Sequence, residues 1–149
     1  MRNIAPVQTP VHYGPYPPIN LSPMNEHRQT VAIVDDHDSF RYTAARLLTM
    51  LGYSVVLEAP NGMVFLQELE ACTPLPDFCL LDIEMPVMDG IVTARLLRQR
   101  FPQIKIVACT LGNDAARKAS MLDAGVHGIL LKHMEPEEMK TAIQEALGQ

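Results

Sequence analysis

Five residues in this chain could act together on a charged substrate: Asp35, Asp36, Asp82, Thr110 and Lys132. Each follows or closes a short apolar run, the place where a strand would end. Val31-Ala32-Ile33-Val34 leads into the Asp35-Asp36 pair and Phe78-Cys79-Leu80-Leu81 into Asp82. Ile104 to Cys109 leads into Thr110, and Ile129-Leu130-Leu131 into Lys132. Three carboxylates brought to one place repel one another, and a hard divalent cation relieves that repulsion. Mg²⁺ suits one or two carboxylates completed by water and phosphate oxygens, so the set reads as a phosphoryl site. In that reading Asp82 is the nucleophile, Lys132 neutralises phosphoryl charge and Thr110 hydrogen-bonds a phosphoryl oxygen. Any one of these aspartates alone would be read as a solvated strand-end carboxylate.

The site needs a scaffold that gathers strand ends along one edge. From Thr30 onward, apolar runs of strand length alternate with segments of helical period. Val31–Val34 reads as a strand buried on both faces. Phe40, Ala44, Leu47, Leu48 and Leu51 then recur at helical spacing, and Gly52 closes that helix. Val55 to Leu57 is a second strand, and Asn61-Gly62 turns into a helix running to about Leu69. After the third strand a helix starts near Ile91 and runs to about Arg100, and the Asp89-Gly90 pair reads as its cap and turn. The strand Ile104–Cys109 precedes a helix over 115–124 stopped by Gly125. A fifth helix carries Pro136 in its first turn and Met139, Ala142, Ile143 and Ala146 on one face. Five strands alternating with five helices imply right-handed βαβ units and a parallel sheet covered on both faces. The expected fold class is therefore α/β, a flavodoxin-like doubly wound sheet of order 2-1-3-4-5, whose ligands sit beyond the strand carboxyl ends at the switch point.

The segments Val31 to His37, Leu80-Leu81-Asp82-Ile83-Glu84-Met85-Pro86-Val87-Met88-Asp89-Gly90 and Leu130-Leu131-Lys132 resemble the response-regulator receiver family. The resemblance covers roughly residues 30 to 147. Asp82 lies 46 residues after Asp36, Thr110 lies 28 after Asp82, and Lys132 lies 22 after Thr110, which are family-like intervals. It implies a phosphoacceptor switch in which Asp36 and Asp82 ligate Mg²⁺ directly, Asp35 acts through water and the Glu84 backbone carbonyl supplies a further ligand. It also implies a sensor histidine kinase or phosphotransfer protein as donor and a downstream protein partner, with a homodimer allowed. The chain would be a regulator rather than an enzyme with a separate substrate. His37 after the acidic pair, followed by Phe40-Arg41, is similar to the nitrate-regulator branch, whose members usually append a helix-turn-helix domain. The chain stops at Gln149, after the fifth helix, so that output domain is not expected within it; a stand-alone receiver and a piece of a longer regulator both fit. Ile129 stands where the family often has Tyr or Phe and His133 where it often has Pro. Glu84 and Gly112 occupy positions that tune dephosphorylation. Ile129 is expected to stay buried in both signalling states.

Composition narrows the alternatives. With 48% hydrophobic and 19% charged residues the chain reads as globular, and no apolar run approaches the roughly 18 residues that span a bilayer. A formal charge of −5 without a Lys/Arg cluster argues against direct nucleic-acid binding. Cys72, Cys79 and Cys109 are odd in number and lack metal-site spacing, which fits a reducing cytoplasm. Cys79 and Cys109 read as small core hydrophobes, His37 and His133 as surface histidines. Residues 1–29 are expected to be a flexible Pro-rich tail, with six of the twelve prolines before residue 26, and 30–149 the receiver domain. The main alternative function is a non-phosphorylated receiver-fold module for protein binding, which has no need of all five site residues. An aspartate-nucleophile phosphatase fits less well, because such enzymes want an acid/base Asp where Glu84 stands.

Overall fold

The computed structural model describes residues 28–112 and 114–149. The proposed tail thus lies almost wholly outside the described residues. The elements run β1 (Thr30–Val34), α1 (Asp38–Met50), β2 (Ser54–Ala59), α2 (Gly62–Glu70), β3 (Phe78–Asp82), α3 (Gly90–Arg100), β4 (Lys105–Thr110), α4 (Ala115–Asp123), β5 (Gly128–Leu131) and α5 (Pro136–Ala146). All five strands pair in parallel in the order β2-β1-β3-β4-β5. The sheet is the expected flavodoxin-like one.

The two-residue period of each strand divides the core into two layers. Ala32 and Val34 of β1, Cys79 and Leu81 of β3, and Ile106 and Ala108 of β4 face α2, α3 and α4, where they meet Phe65, Leu69, Leu97 and Met121. Their neighbours Val31, Ile33, Phe78, Leu80, Val107 and Cys109 face α1 and α5, packing on Leu48, Met139 and Ile143. Both strand cysteines are fully buried free thiols, and burial pushes each up to about 12. They are the small core groups the sequence suggested.

Helix ends are set by local chemistry. The side chains of Asn61, Asp89 and Asp114 each accept a hydrogen bond from a backbone N–H in the first turn of α2, α3 and α4. α1 ends with Gly52 at φ 99°, where its N–H donates to Thr49 and that of Tyr53 to Leu48. This is the paired-bond closure that a left-handed residue permits. The same pattern, from Gly125 to Leu122 and Val126 to Met121, stops α4 one residue short of the expected end. α4 contributes a single buried residue, Met121, whereas α2 buries four. Ile129 is half-buried rather than fully buried: on the edge strand β5 it faces the side covered by α4, whereas Leu130, facing α5, is fully buried.

Candidate functional site

The order β2-β1-β3 makes the chain leave β1 to one side and return on the other, opening a crevice beyond the carboxyl ends of β1 and β3. Register aligns what lies there. Val34 pairs with Leu81, Asp82 with Cys109 and Thr110 with Leu131, so Asp35, Asp82, Thr110 and Lys132 occupy adjacent ends. Backbone bonds continue past the strands, from Ile83 N–H to Cys109 and from Lys132 N–H to Thr110, and hold these ends in line.

Asp35 is fully buried and Asp82 is 3% exposed. Lys132 reaches between them, its Nζ 2.7 Å from Asp35 Oδ2 and 3.3 Å from Asp82 Oδ1. Its ammonium also lies 4.4 Å from the centre of the Phe40 ring, a cation–π contact that walls one side of the pocket. Burial pushes Asp82 up to about 6, the Asp35 charge adds to the rise, and Lys132 opposes it. For Lys132, burial pulls the other way, but the hydrogen bond to Asp35 and the charge of Asp82 prevail and its pKa is raised. One ammonium thus serves two buried carboxylates, and the local balance stays negative.

That excess leaves carboxylate oxygens that a cation would suit. Among the described residues, Asp82 Oδ2 and Asp36 Oδ1 are buried carboxylate oxygens that accept no hydrogen bond. Buried carboxylate oxygens are costly without a partner, and a divalent cation is the partner two such oxygens suit. Ligand atoms from Asp35, Asp36, His37 and Asp82 all lie within 4.8 Å of one another. The residues present therefore fit the expected Mg²⁺. Thr110 is buried on the neighbouring strand end, its hydroxyl accepting from Gly112 N–H at 3.3 Å. The Glu84 N–H donates to Asp82 Oδ1 at 3.3 Å, while its exposed carboxylate, which the expected carbonyl role does not use, faces Arg117 Nε of α4 at 3.5 Å.

Sequence reasoning missed three contacts. Phe40 was read as an apolar position of the first helix and as part of the branch resemblance, not as a site residue, and Arg117 was not singled out. His37, read as a surface histidine, has its ring Nδ1 3.2 Å from Asp35 Oδ1 and 3.3 Å from Asp36 Oδ1. Only the place of His37 and Phe40 in the first turn after the acidic pair hinted at this.

The β3–α3 loop that follows Asp82 is tightly drawn. Met88 N–H donates to Pro86 C=O across Val87, whose φ is 71°, a rare conformation for a β-branched residue. Gly90 then passes against the strand end, where an added Cβ would meet Asp82 O at 2.4 Å and Ile83 Cα at 2.6 Å. Those are backbone atoms that cannot step aside. Gly90→Ala is expected to cost about 3 kcal/mol in urea unfolding, at the upper end of overpacking penalties. Gly112→Ala, with nothing within 4 Å of its added Cβ, is the control and should stay within about 0.5 kcal/mol. Equal costs would mean that the loop is not clamped there.

The chain matches the response regulator receiver domain over residues 31–144. It is 34% identical over 123 residues to the nitrate/nitrite response regulator protein NarL of Escherichia coli K12, covering 82% of this chain and 56% of NarL. The chain belongs to the response regulator receiver family. This receiver also superposes on the signal receiver domain of NarL from Mycobacterium tuberculosis with a TM-score of 0.75 and 30% identity, covering 83% of this chain and 98% of that one. The isolated receiver domain of RcsB from Salmonella enterica serovar Typhimurium, solved with the phosphomimetic BeF3⁻, gives a TM-score of 0.71 at 25% identity, covering 78% and 86%. The likeness to both NarL proteins places the receiver in the nitrate-regulator-like branch. The chain spans about half the length of its curated relatives, 56% for NarL. The receiver family is a regulatory signalling family rather than one of classical enzymes. Among the described residues, no helix is long and apolar enough to cross a membrane.

Proposed function

We propose that this receiver is the phosphoacceptor switch of a two-component system, taking a phosphoryl group from a histidine kinase or phosphotransfer protein onto Asp82. The observation that carries this is the pair of buried oxygens that accept no hydrogen bond, Asp82 Oδ2 and Asp36 Oδ1, beside an ammonium already shared between Asp82 and Asp35. Asp82 is mostly ionised at neutral pH, yet more basic than an ordinary carboxylate, which suits a nucleophile. An Asp82 oxygen attacks phosphorus, the P–N bond to the donor histidine breaks, and the imidazole leaves with the electron pair. Later attack by water on the acyl phosphate releases inorganic phosphate and restores the carboxylate.

Asp36 and Asp82 would hold Mg²⁺ directly, Asp35 through water and Glu84 through its backbone carbonyl, and the ion would offset phosphoryl charge. Lys132 supplies fixed positive charge at Asp82, and Thr110, at the end of the adjacent strand, offers its hydroxyl to a phosphoryl oxygen. Arg117 of α4, set against Glu84 and 4.0 Å from Asp89, gives the acceptor loop a contact through which its state reaches that helix. A downstream protein would read the change. The acidic balance leaves DNA contact to other chains or domains, and two buried free thiols suit the cytoplasm.

The test is intact-mass measurement after incubation with a small phosphodonor such as phosphoramidate. One phosphoryl increment is expected with Mg²⁺ and none with excess chelator. Equal uptake in both would remove the metal from the proposal.

A further inference from the structure

The receiver's expected cation site is made of oxygen atoms, yet one nitrogen stands among them. His37 forms the N-terminal cap position of α1, and its backbone N–H donates to Asp35 Oδ1 at 2.8 Å. That bond fixes the turn so that the ring comes back over the acidic pair. There Nδ1 sits between Asp35 Oδ1 and Asp36 Oδ1, and His37 joins the two aspartates and Asp82 in one group of potential ligands within 4.8 Å. The pocket holds an independent sign that it awaits an ion: Asp82, 3% exposed, presents an oxygen without a hydrogen-bond partner. The imidazole is 65% exposed, so its ring can turn from a donor to the carboxylates into a ligand beside them at little packing cost.

We infer that His37 makes this a mixed nitrogen–oxygen metal site, which takes first-row transition ions such as Mn²⁺, Co²⁺ or Ni²⁺ through the imidazole in addition to Mg²⁺. This rests on the reading that the aspartates hold a divalent cation. Mg²⁺ is a hard ion that prefers oxygen and keeps its waters, and it gains little from a nearby imidazole. Imidazole suits the later transition ions, whose affinity for such ligands rises from Mn²⁺ through Co²⁺ to Ni²⁺. The nitrogen therefore discriminates between ions rather than strengthening binding of all of them.

The experiment compares untagged full-length wild type with His37→Ala and His37→Gln by calorimetric titration with NiCl2 and with MgCl2, folding being checked by circular dichroism. Ni²⁺ affinity is expected to fall at least about tenfold in both variants, as for loss of a ligand. Mg²⁺ affinity should change less than about threefold. Pulsed electron paramagnetic resonance of the Mn²⁺-loaded wild type should show nitrogen modulation from a bound imidazole, absent from both variants. Undiminished Ni²⁺ binding and unchanged nitrogen modulation in the variants would overturn the inference, leaving His37 as a hydrogen-bond partner of Asp35 alone. Failure of the underlying reading looks different: wild type would not bind Mg²⁺, and Asp36→Asn would leave Ni²⁺ binding untouched.

Discussion

Asp82→Asn abolishes phosphoryl uptake and at the same time makes the metal-free protein more stable. The loss follows from chemistry, since an amide oxygen is too weak a nucleophile to take a phosphoryl group. The gain follows from the environment of Asp82, where burial and the Asp35 charge hold its pKa at about 6 against an ordinary 3.8. A carboxylate whose folded pKa is raised binds protons more readily in the folded state. Its ionised form therefore costs stability at every pH above the folded value, and the cost fades as pH falls from about 6 toward 3.8. Shifts of this size correspond to roughly 2–3 kcal/mol, or several degrees of melting temperature for a domain of this size. The expected result is a higher melting point for Asp82→Asn at pH 7.5 without metal, a shrinking difference toward pH 4, and no uptake from a phosphodonor at either. A variant as stable as wild type at pH 7.5 would mean that Asp82 is not electrostatically frustrated.

Lys132→Ala acts in the opposite direction. The ammonium is the countercharge for two carboxylates that are almost wholly removed from water, and deleting one partner of a buried ionic cluster strands the others. The expected cost is about 3–5 kcal/mol. Because Lys132 has a raised pKa in the fold, its contribution is fully present below the unfolded lysine value and is lost only as pH rises through the higher folded value. The gap from wild type should therefore persist throughout the neutral range. Added Mg²⁺ should restore part of it, since a cation among the same carboxylates replaces some of the missing charge. Urea unfolding with and without Mg²⁺ measures both effects. Little change in midpoint, or a loss that Mg²⁺ leaves untouched, would contradict the shared-counterion arrangement. In phosphorylated protein the same variant should weaken the structural response, because Lys132 ties β5 to Asp82.

The central strands β1, β3 and β4 were legible because a strand buried on both faces must be a continuous apolar run, and such runs ended in the acidic pair, Asp82 and the threonine. The βαβ alternation gave a parallel sheet, its order was chosen as a common doubly wound solution at this length, and Asp89 was legible as a cap from its position before Gly90. The end of α4 was less so, since a helix that buries only Met121 has little apolar period to read. Ile129 was expected inside because it is apolar; it faces the side of β5 covered by α4, which buries only Met121, and stays half-buried. What spacing could not supply was side-chain direction between elements. That the ring of Phe40 faces Lys132, that Arg117 crosses from α4 to Glu84, and that His37 turns back on Asp35 and Asp36 depend on where α1 and α4 sit relative to the sheet.

The most direct measurement locates the phosphoryl group. Protein incubated with phosphoramidate and Mg²⁺ is treated with borohydride, which reduces an aspartyl phosphate to homoserine, and the digested peptides are sequenced by mass spectrometry. The account requires homoserine at position 82, with Asp35, Asp36 and Asp89 unmodified and the conversion lost when chelator replaces Mg²⁺. Homoserine at another aspartate, or an unreduced Asp82 in protein that has gained a phosphoryl group, would contradict it.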